Sequence, residues 1–352
     1  MITAIAWKNV WRNKSRSLTV ISAVAVGVFA GVFSIAAMNS SVVQRIDAAV
    51  NQELSHIQIN NKDFRSTGNI QDTILNYDSV VGLLNSVNGV ESVTGRLIVR
   101  GIASTAVKST GVEITGIDVK KEKQMFTLSD KLIPGTGTYF ESDTKFNTAF
   151  IGEKLAKELN IIRYVLTPDD FIILAKEKVP VTVTRKLEPI TGKRFISDKK
   201  FTKTIEGLLD PSEIKKYGLK IKEAAWSFRE GSKFILTFLD INEMQTGAAF
   251  RVCGIYRTNN DLFEVSSVFV PASELRELTG LKEGVFHRII IRLDNNEITN
   301  VMTLQLREAF PGLEVMSWKE IQPDLAMISD MMQQIYGITT VRLNIKRSIL
   351  LS

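Results

Sequence analysis

Cysteine is almost missing from this 352-residue chain: Cys253 stands alone, so no disulfide can form within it. That excludes a stapled secreted domain and an N-terminal lipoprotein cysteine, and fits either a reducing compartment or an envelope protein large enough to fold without staples. Histidine is nearly as scarce. His56 and His287 are the only two, in strand-like runs without HxxxH or HxE spacing, which leaves no zinc site to assign. No GxxxxGK[ST] loop occurs, so any ATP chemistry must belong to another chain. There is no repeat of fixed period, no low-complexity tract and no RNA-module or helix-turn-helix signature, so no nucleic-acid partner is expected. The remaining reactive side chains read blandly. Cys253, between Val252 and Gly254, reads as a buried inert thiol, Asp169–Asp170 after Pro168 as a turn, and Trp318 as packing. We therefore assign no catalytic residue, no metal ligand and no cofactor, and do not expect catalysis by this chain.

A second absence is more telling. No carboxylate precedes Asp47, whereas Lys8, Arg12, Lys14 and Arg16 supply four positive charges, in a chain whose net charge is +6. Leu18 to Met38 then contains no charge and nothing more polar than Thr19, Ser22 and Ser34. A helix of that length crosses a hydrocarbon core of about 30 Å, and it exceeds the roughly 7–15 apolar residues of a cleaved signal peptide. Ser34-Ile35-Ala36 resembles a cleavage site, but the length favours an anchor that stays. Basic flanks remain cytoplasmic, so the chain after Asn39 is expected outside a bacterial inner membrane.

Ahead of the span, Trp7 and Trp11 lie one helical turn apart, with Lys8 and Arg12 on the opposite side. Indole rings and long cationic chains suit the headgroup layer. We expect Trp7, Lys8, Trp11, Arg12, Lys14 and Arg16 to form a membrane-interface set on a short helix along the inner leaflet, turning into the span near Ser15–Ser17; the alternative is an unstructured basic tail. Within the span, Ala23, Gly27 and Gly31 form a small-residue stripe that admits a second transmembrane helix.

The rest reads as α+β: an N-terminal interfacial helix and one transmembrane helix followed by a two-lobed α/β exported domain. Residues 1–17 are the interfacial helix, 18–38 the span, 39–330 the exported domain, and 331–352 the start of a second-span region. Ser41 to Leu54 continues the span as a helix, with Val42, Ile46, Val50 and Leu54 on one stripe. Strands are expected at "HIQIN", Arg96–Ile102, Gly111–Ile117, "AFIG", "FRVCGIYRT", "SSVFVP" and "HRIIIRLD". Asp78 is expected to cap a helix ending at Gly89, and "PGTG" at Pro134–Gly137 to turn the chain. A basic stretch punctuated by prolines, 161–247, reads as a second lobe or insertion with strands at Phe171–Ala175, Val179–Val183 and Phe234–Leu239.

Taken in order, "AWKNVWRNKSRSLTVISAVAVGV", "LNSVNGVESVTGR", "GVEITGID", "AFIGEKLAKELN", "FRVCGIYRT", "VFVPASELRELTG" and "LREAFPGLEVMSWKEIQPDL" resemble the permease subunits of MacB/LolC/LolE-type (FtsX-like) ABC transporters with a MacB-like periplasmic core domain. The resemblance covers about three quarters of the chain, the gap being the 161–247 lobe. It implies a cytoplasmic ABC ATPase subunit, a second permease copy or homologue and membrane lipid as partners. It also implies that ATP-driven closure moves the periplasmic domain, for lipoprotein release or for efflux. A single-span periplasmic binding or scaffold protein is the alternative. The family has three further spans, whereas "ITTVRLNIKRSILLS" after Gly337 is broken by Arg342, Lys346 and Arg347, so a truncated permease or a shortened accessory subunit is expected.

Overall fold

A computed structural model describes residues 13–141, 145–332 and 334. The chain divides into two compact units, one made of Met1–Val50 with Trp318–Ser352 and the other of Asn51–Ser317.

In the first unit, one helix runs unbroken over Lys14–Ala48. At about 1.5 Å per residue it is about 50 Å long, well beyond a hydrocarbon core of about 30 Å. Its most apolar window has a mean hydropathy of 2.3, and none of that window is buried by the protein. The turn expected near Ser15–Ser17 is absent, because the helix already includes these residues and Ser17 N–H donates to the Asn13 carbonyl at 3.0 Å. The expected continuation to Leu54 also changes character. Ala49–Leu54 is π-helical, and Val42, Ile46, Val50 and Leu54 are each buried or half-buried, as expected of one stripe.

The second unit is built on strands β1 (Ile57–Asn61), β2 (Val90–Ser104), β3 (Ser109–Ile117), β4 (Thr148–Gly152), β5 (Ile162–Tyr164), β6 (Trp226–Phe228), β7 (Lys233–Leu239), β8 (Gln245–Tyr256), β9 (Ser267–Pro271), β10 (Arg288–Leu293) and β11 (Leu313–Ser317). Nine of them form one sheet in the order β11-β1-β10-β2-β3-β9-β4-β8-β7. The long β2 organises it. Its first half pairs with β10, and its end pairs with both β3 and β7, Gly101 facing Val112 on one side and Phe238 on the other. The β2–β7 pairing closes β2, β3, β9, β4, β8 and β7 into a ring.

Period-2 alternation fills that ring. Leu97, Val99, Ile114, Ile151, Leu236, Phe250, Val268 and Val270 share its core, while the intervening Phe150 and Phe269 join a second cluster with Tyr256. On the open side, helices Tyr77–Leu84 and Thr299–Ala309 contribute Leu84, Met302 and Leu306 to a core with Ile57, Ile59, Ile289 and Ile291. Asp78 is not the cap expected from the sequence. Asn76 precedes the helix in the left-handed conformation and Asp78 lies in its first turn. The Pro134–Gly137 turn is present, and Gly137 is required there: its φ is +118°, and a Cβ would collide with the Cys253 carbonyl oxygen.

The largest departure from expectation lies at 162–228. Phe171–Ala175 and Val179–Val183 are not strands. The first lies in a helix, Pro168–Lys176, and most of the second in another, Val181–Leu187. Two further helices, Asp198–Glu206 and Pro211–Ala225, complete a helical lobe with its own core of Leu174, Leu187, Phe201, Ile205, Ile221 and others. Asp169 and Asp170 begin the first of these helices rather than forming a free turn: Thr167 N–H donates to Asp170 Oδ2 at 2.7 Å in a capping box, with Pro168 at the first position. Phe234–Leu239 is a strand as expected, but it belongs to the main sheet.

Candidate functional site

The site of interest is built from the long helix and from the segment to which the chain returns in the same unit. Helix Lys14–Ala48 places Lys14 and Arg16 at its start, while Trp7, Lys8, Trp11 and Arg12 lie outside the described residues. Ala23, Gly27 and Gly31 are spaced four apart and so share one exposed face. Apart from the chain neighbours and the helix's own backbone, no described atom lies within 4 Å of where a side chain at Gly27 or Gly31 would begin. Large apolar groups surround the stripe: Val24, Val28, Phe29, Val32 and Phe33 are each more than 60% exposed. Such a surface calls for an apolar solvent.

Further along, the first unit closes on itself. The helix Trp318–Ile321 and helical residues 323–332 bring Trp318, Leu325 and Ala326 against Ile46, Ala49 and Val50. Trp318 is 1% exposed, so the packing role read from the sequence is the one observed. Arg45 donates to Gln322 Oε1 at 3.5 Å, and Lys319 pairs with Asp330 at 3.1 Å. The outgoing and returning arms of the chain are thereby clasped. Sequence reasoning missed this clasp because its members are separated by more than 250 residues and carry no local motif.

In the second unit the titratable groups serve structure. His56 and His287 flank strands rather than lying within them. His56 Nδ1 accepts from Leu293 N–H at 3.1 Å; burial, then the Arg292 charge, lowers its pKa to about 4. His287 Nδ1 accepts from Ile98 N–H at 3.0 Å while its Nε2 faces the Ile70 carbonyl at 2.8 Å, which fixes a neutral tautomer with the proton on Nε2. Burial pushes the Cys253 thiol up to about 12, as suits an inert thiol. No group of three or more metal-ligating side chains occurs among the described residues.

Three buried carboxylates were not singled out by the sequence. Arg96 and Glu122, each 4% exposed, form an ion pair, and Arg96 also donates to the Glu53 carbonyl at 3.0 Å and sits 4.5 Å from the Phe126 ring. Burial pushes Glu122 up against the opposing pull of Arg96. Glu264, wholly buried, accepts from both the backbone N–H and the hydroxyl of Thr258, and burial raises it as well. Burial also opposes ionisation of Glu153, but Arg257 and Lys157 hold it below the usual range. An inward Arg at an alternating strand position, as at Arg96 in β2, is the one signal that points to such a pair.

No protein-family model and no curated protein matches the chain. The solved structures similar to it include two transporter regions. One is the extracellular domain of the noncanonic ABC-type transporter YknZ from Gram-positive bacteria: 13% identity, 74% of this chain and 98% of that chain covered, TM-score 0.35. The other is the periplasmic region of MacB from Actinobacillus actinomycetemcomitans: 14% identity, 80% and 95% covered, TM-score 0.34.

Proposed function

We propose that this chain is a permease-type subunit of a MacB/Lol-type ABC transporter, anchored in the bacterial inner membrane with its N-terminus cytoplasmic and its sheet domain exported. The observation that carries the proposal is the helix Lys14–Ala48, whose apolar window is uncovered by protein and which is followed along the chain by a folded α+β domain. The ordered motifs supply the transporter class. A partner ATPase in the cytoplasm hydrolyses ATP, and movement of the span is passed along the helix to the exported domain. The stripe Ala23, Gly27, Gly31 receives a helix of a second permease copy or homologue, and Trp7, Lys8, Trp11, Arg12, Lys14 and Arg16 hold the headgroup layer. Cargo is handled on the outer side, as lipoprotein release or as efflux.

Purification of the full chain from its native membrane in mild non-ionic detergent tests this. The expected result is a co-purifying subunit that carries a GxxxxGK[ST] loop and hydrolyses ATP, with the complex weakened by Gly27→Ile and Gly31→Ile. Recovery of the chain without any ATP-binding subunit, under conditions that preserve other ABC complexes, overturns the proposal.

A further inference from the structure

A cleft of about 550 Å³ lies at the root of the helical lobe, a volume in the usual range for small-ligand sites. Four segments line it: the β2–β3 hairpin tip, the chain at Leu159–Ile161, the start of helix Asp198–Glu206 with the preceding Ile196 and Ser197, and Arg229 with Ser232 and Lys233. Its walls are of two kinds. Val107 and Ile196 are 68% and 56% exposed, above the buried Leu159 and Ile161. Beside them stand three cations, Lys199, Arg229 and Lys233, and Arg229 is oriented by its Nε donating to Ser232 Oγ at 2.6 Å. Asp198 is the one carboxylate in the lining, and it is already engaged: Lys222 at 2.5 Å and the Tyr164 hydroxyl hold it below the usual carboxylate range.

The lining thus carries three cations against one carboxylate that is already paired, and the lobe as a whole is basic. Residues 162–228 contain 14 Lys and Arg against 9 Asp and Glu, a net of +5 in a chain whose total is +6. Exposed aliphatic groups next to clustered cations suit a ligand with an apolar body and an anionic head. A phosphate, carrying about −1.5 to −2 charges, matches three cations better than a single carboxylate does. We propose that this cleft binds a small phosphate-headed aliphatic ligand, with the head on Lys199, Arg229 and Lys233 and the aliphatic part against Val107 and Ile196. The proposal does not depend on the transporter reading.

Titration calorimetry on the full chain in non-ionic detergent tests it, with hexyl phosphate, inorganic phosphate, hexanoate and dihexanoyl phosphatidylglycerol as probes. Saturable binding is expected for a phosphate-headed aliphatic probe, at least about tenfold tighter than for inorganic phosphate or hexanoate. Tighter binding of hexyl phosphate identifies a free phosphate monoester as the source, and tighter binding of the phosphatidylglycerol identifies a lipid headgroup. Arg229→Gln with Lys233→Gln weakens binding about tenfold or more, whereas Ile196→Ser erases the advantage of the aliphatic probe over inorganic phosphate. Lys199→Gln, at an exposed position, repeats the charge test if the double variant does not fold. The proposal is overturned if hexanoate binds as tightly as hexyl phosphate, if no phosphate-headed probe saturates, or if folded charge variants bind like the parent.

Discussion

The closed ring of strands and the helical lobe lie side by side in one unit, yet they are specified differently. In the ring each strand alternates, and neighbouring positions serve different cores, as Val268 and Val270 do on one side of Phe269. In the lobe, short helices bury one to three residues each, such as Leu174 in Pro168–Lys176, and their remaining faces are solvated. The ring thus depends on long-range closure through β2 and β7, whereas the lobe depends on local helix starts and on one small cluster.

The sharpest way to break that contrast is to remove one large core side chain from each region. Phe250→Ala in the ring should cost about 3–5 kcal/mol and loosen strands across the whole sheet. Phe201→Ala, which removes the stack on Tyr164 at 5.0 Å, should cost a similar amount, about 3–5 kcal/mol, but stay local. Hydrogen exchange reads the difference: amides of 162–228 open in the second variant while those of β2, β3 and β8 stay protected. Exchange that rises equally in both regions would show one cooperative core instead of two.

Gly137→Ala comes next, with an expected loss of about 1–3 kcal/mol because a left-handed turn is forced against the Cys253 carbonyl. A chemical-denaturation midpoint unchanged from the parent would contradict the turn geometry. Glu274 gives a smaller, pH-dependent effect. It accepts from Thr148 N–H at 3.0 Å, and burial raises its pKa from 4.5 to about 7. The folded state therefore binds this proton more tightly, so its contribution is fully present below about pH 4.5 and is lost as pH rises toward 7. In Glu274→Gln that slope should vanish from the stability profile between these values. At the low end, Leu219→Ser on the lobe surface, where Leu219 is 70% exposed, should change stability by no more than about 0.5 kcal/mol.

The same contrast explains what could be read from residues alone. Strands β1, β3, β4, β9 and β10 were legible because polar and apolar residues alternate or because β-branched runs end at clear turns. The long apolar helix was legible because 21 consecutive uncharged residues, Leu18 to Met38, leave few alternatives. The lobe was misread where β-branched stretches such as "FIILA" and "VTV" suggested strands. The overriding signals were present in "TPDD" and "DPSE": a capping residue, proline at the first helical position and an acid at the third, both seen as capping boxes. The clasp of Trp318 on Ala49 and Val50, and the ion pair of Arg96 with Glu122, were illegible because pairing across such separations leaves no local pattern.

The transporter reading depends on the helix Lys14–Ala48 being retained as a membrane anchor. Alkaline carbonate extraction of native membranes, followed by N-terminal sequencing of the recovered chain, tests this most directly. The account predicts a chain that stays in the membrane pellet and still carries residues 1–38. A chain released into the supernatant, or one whose mature sequence begins at Ala37, would contradict it.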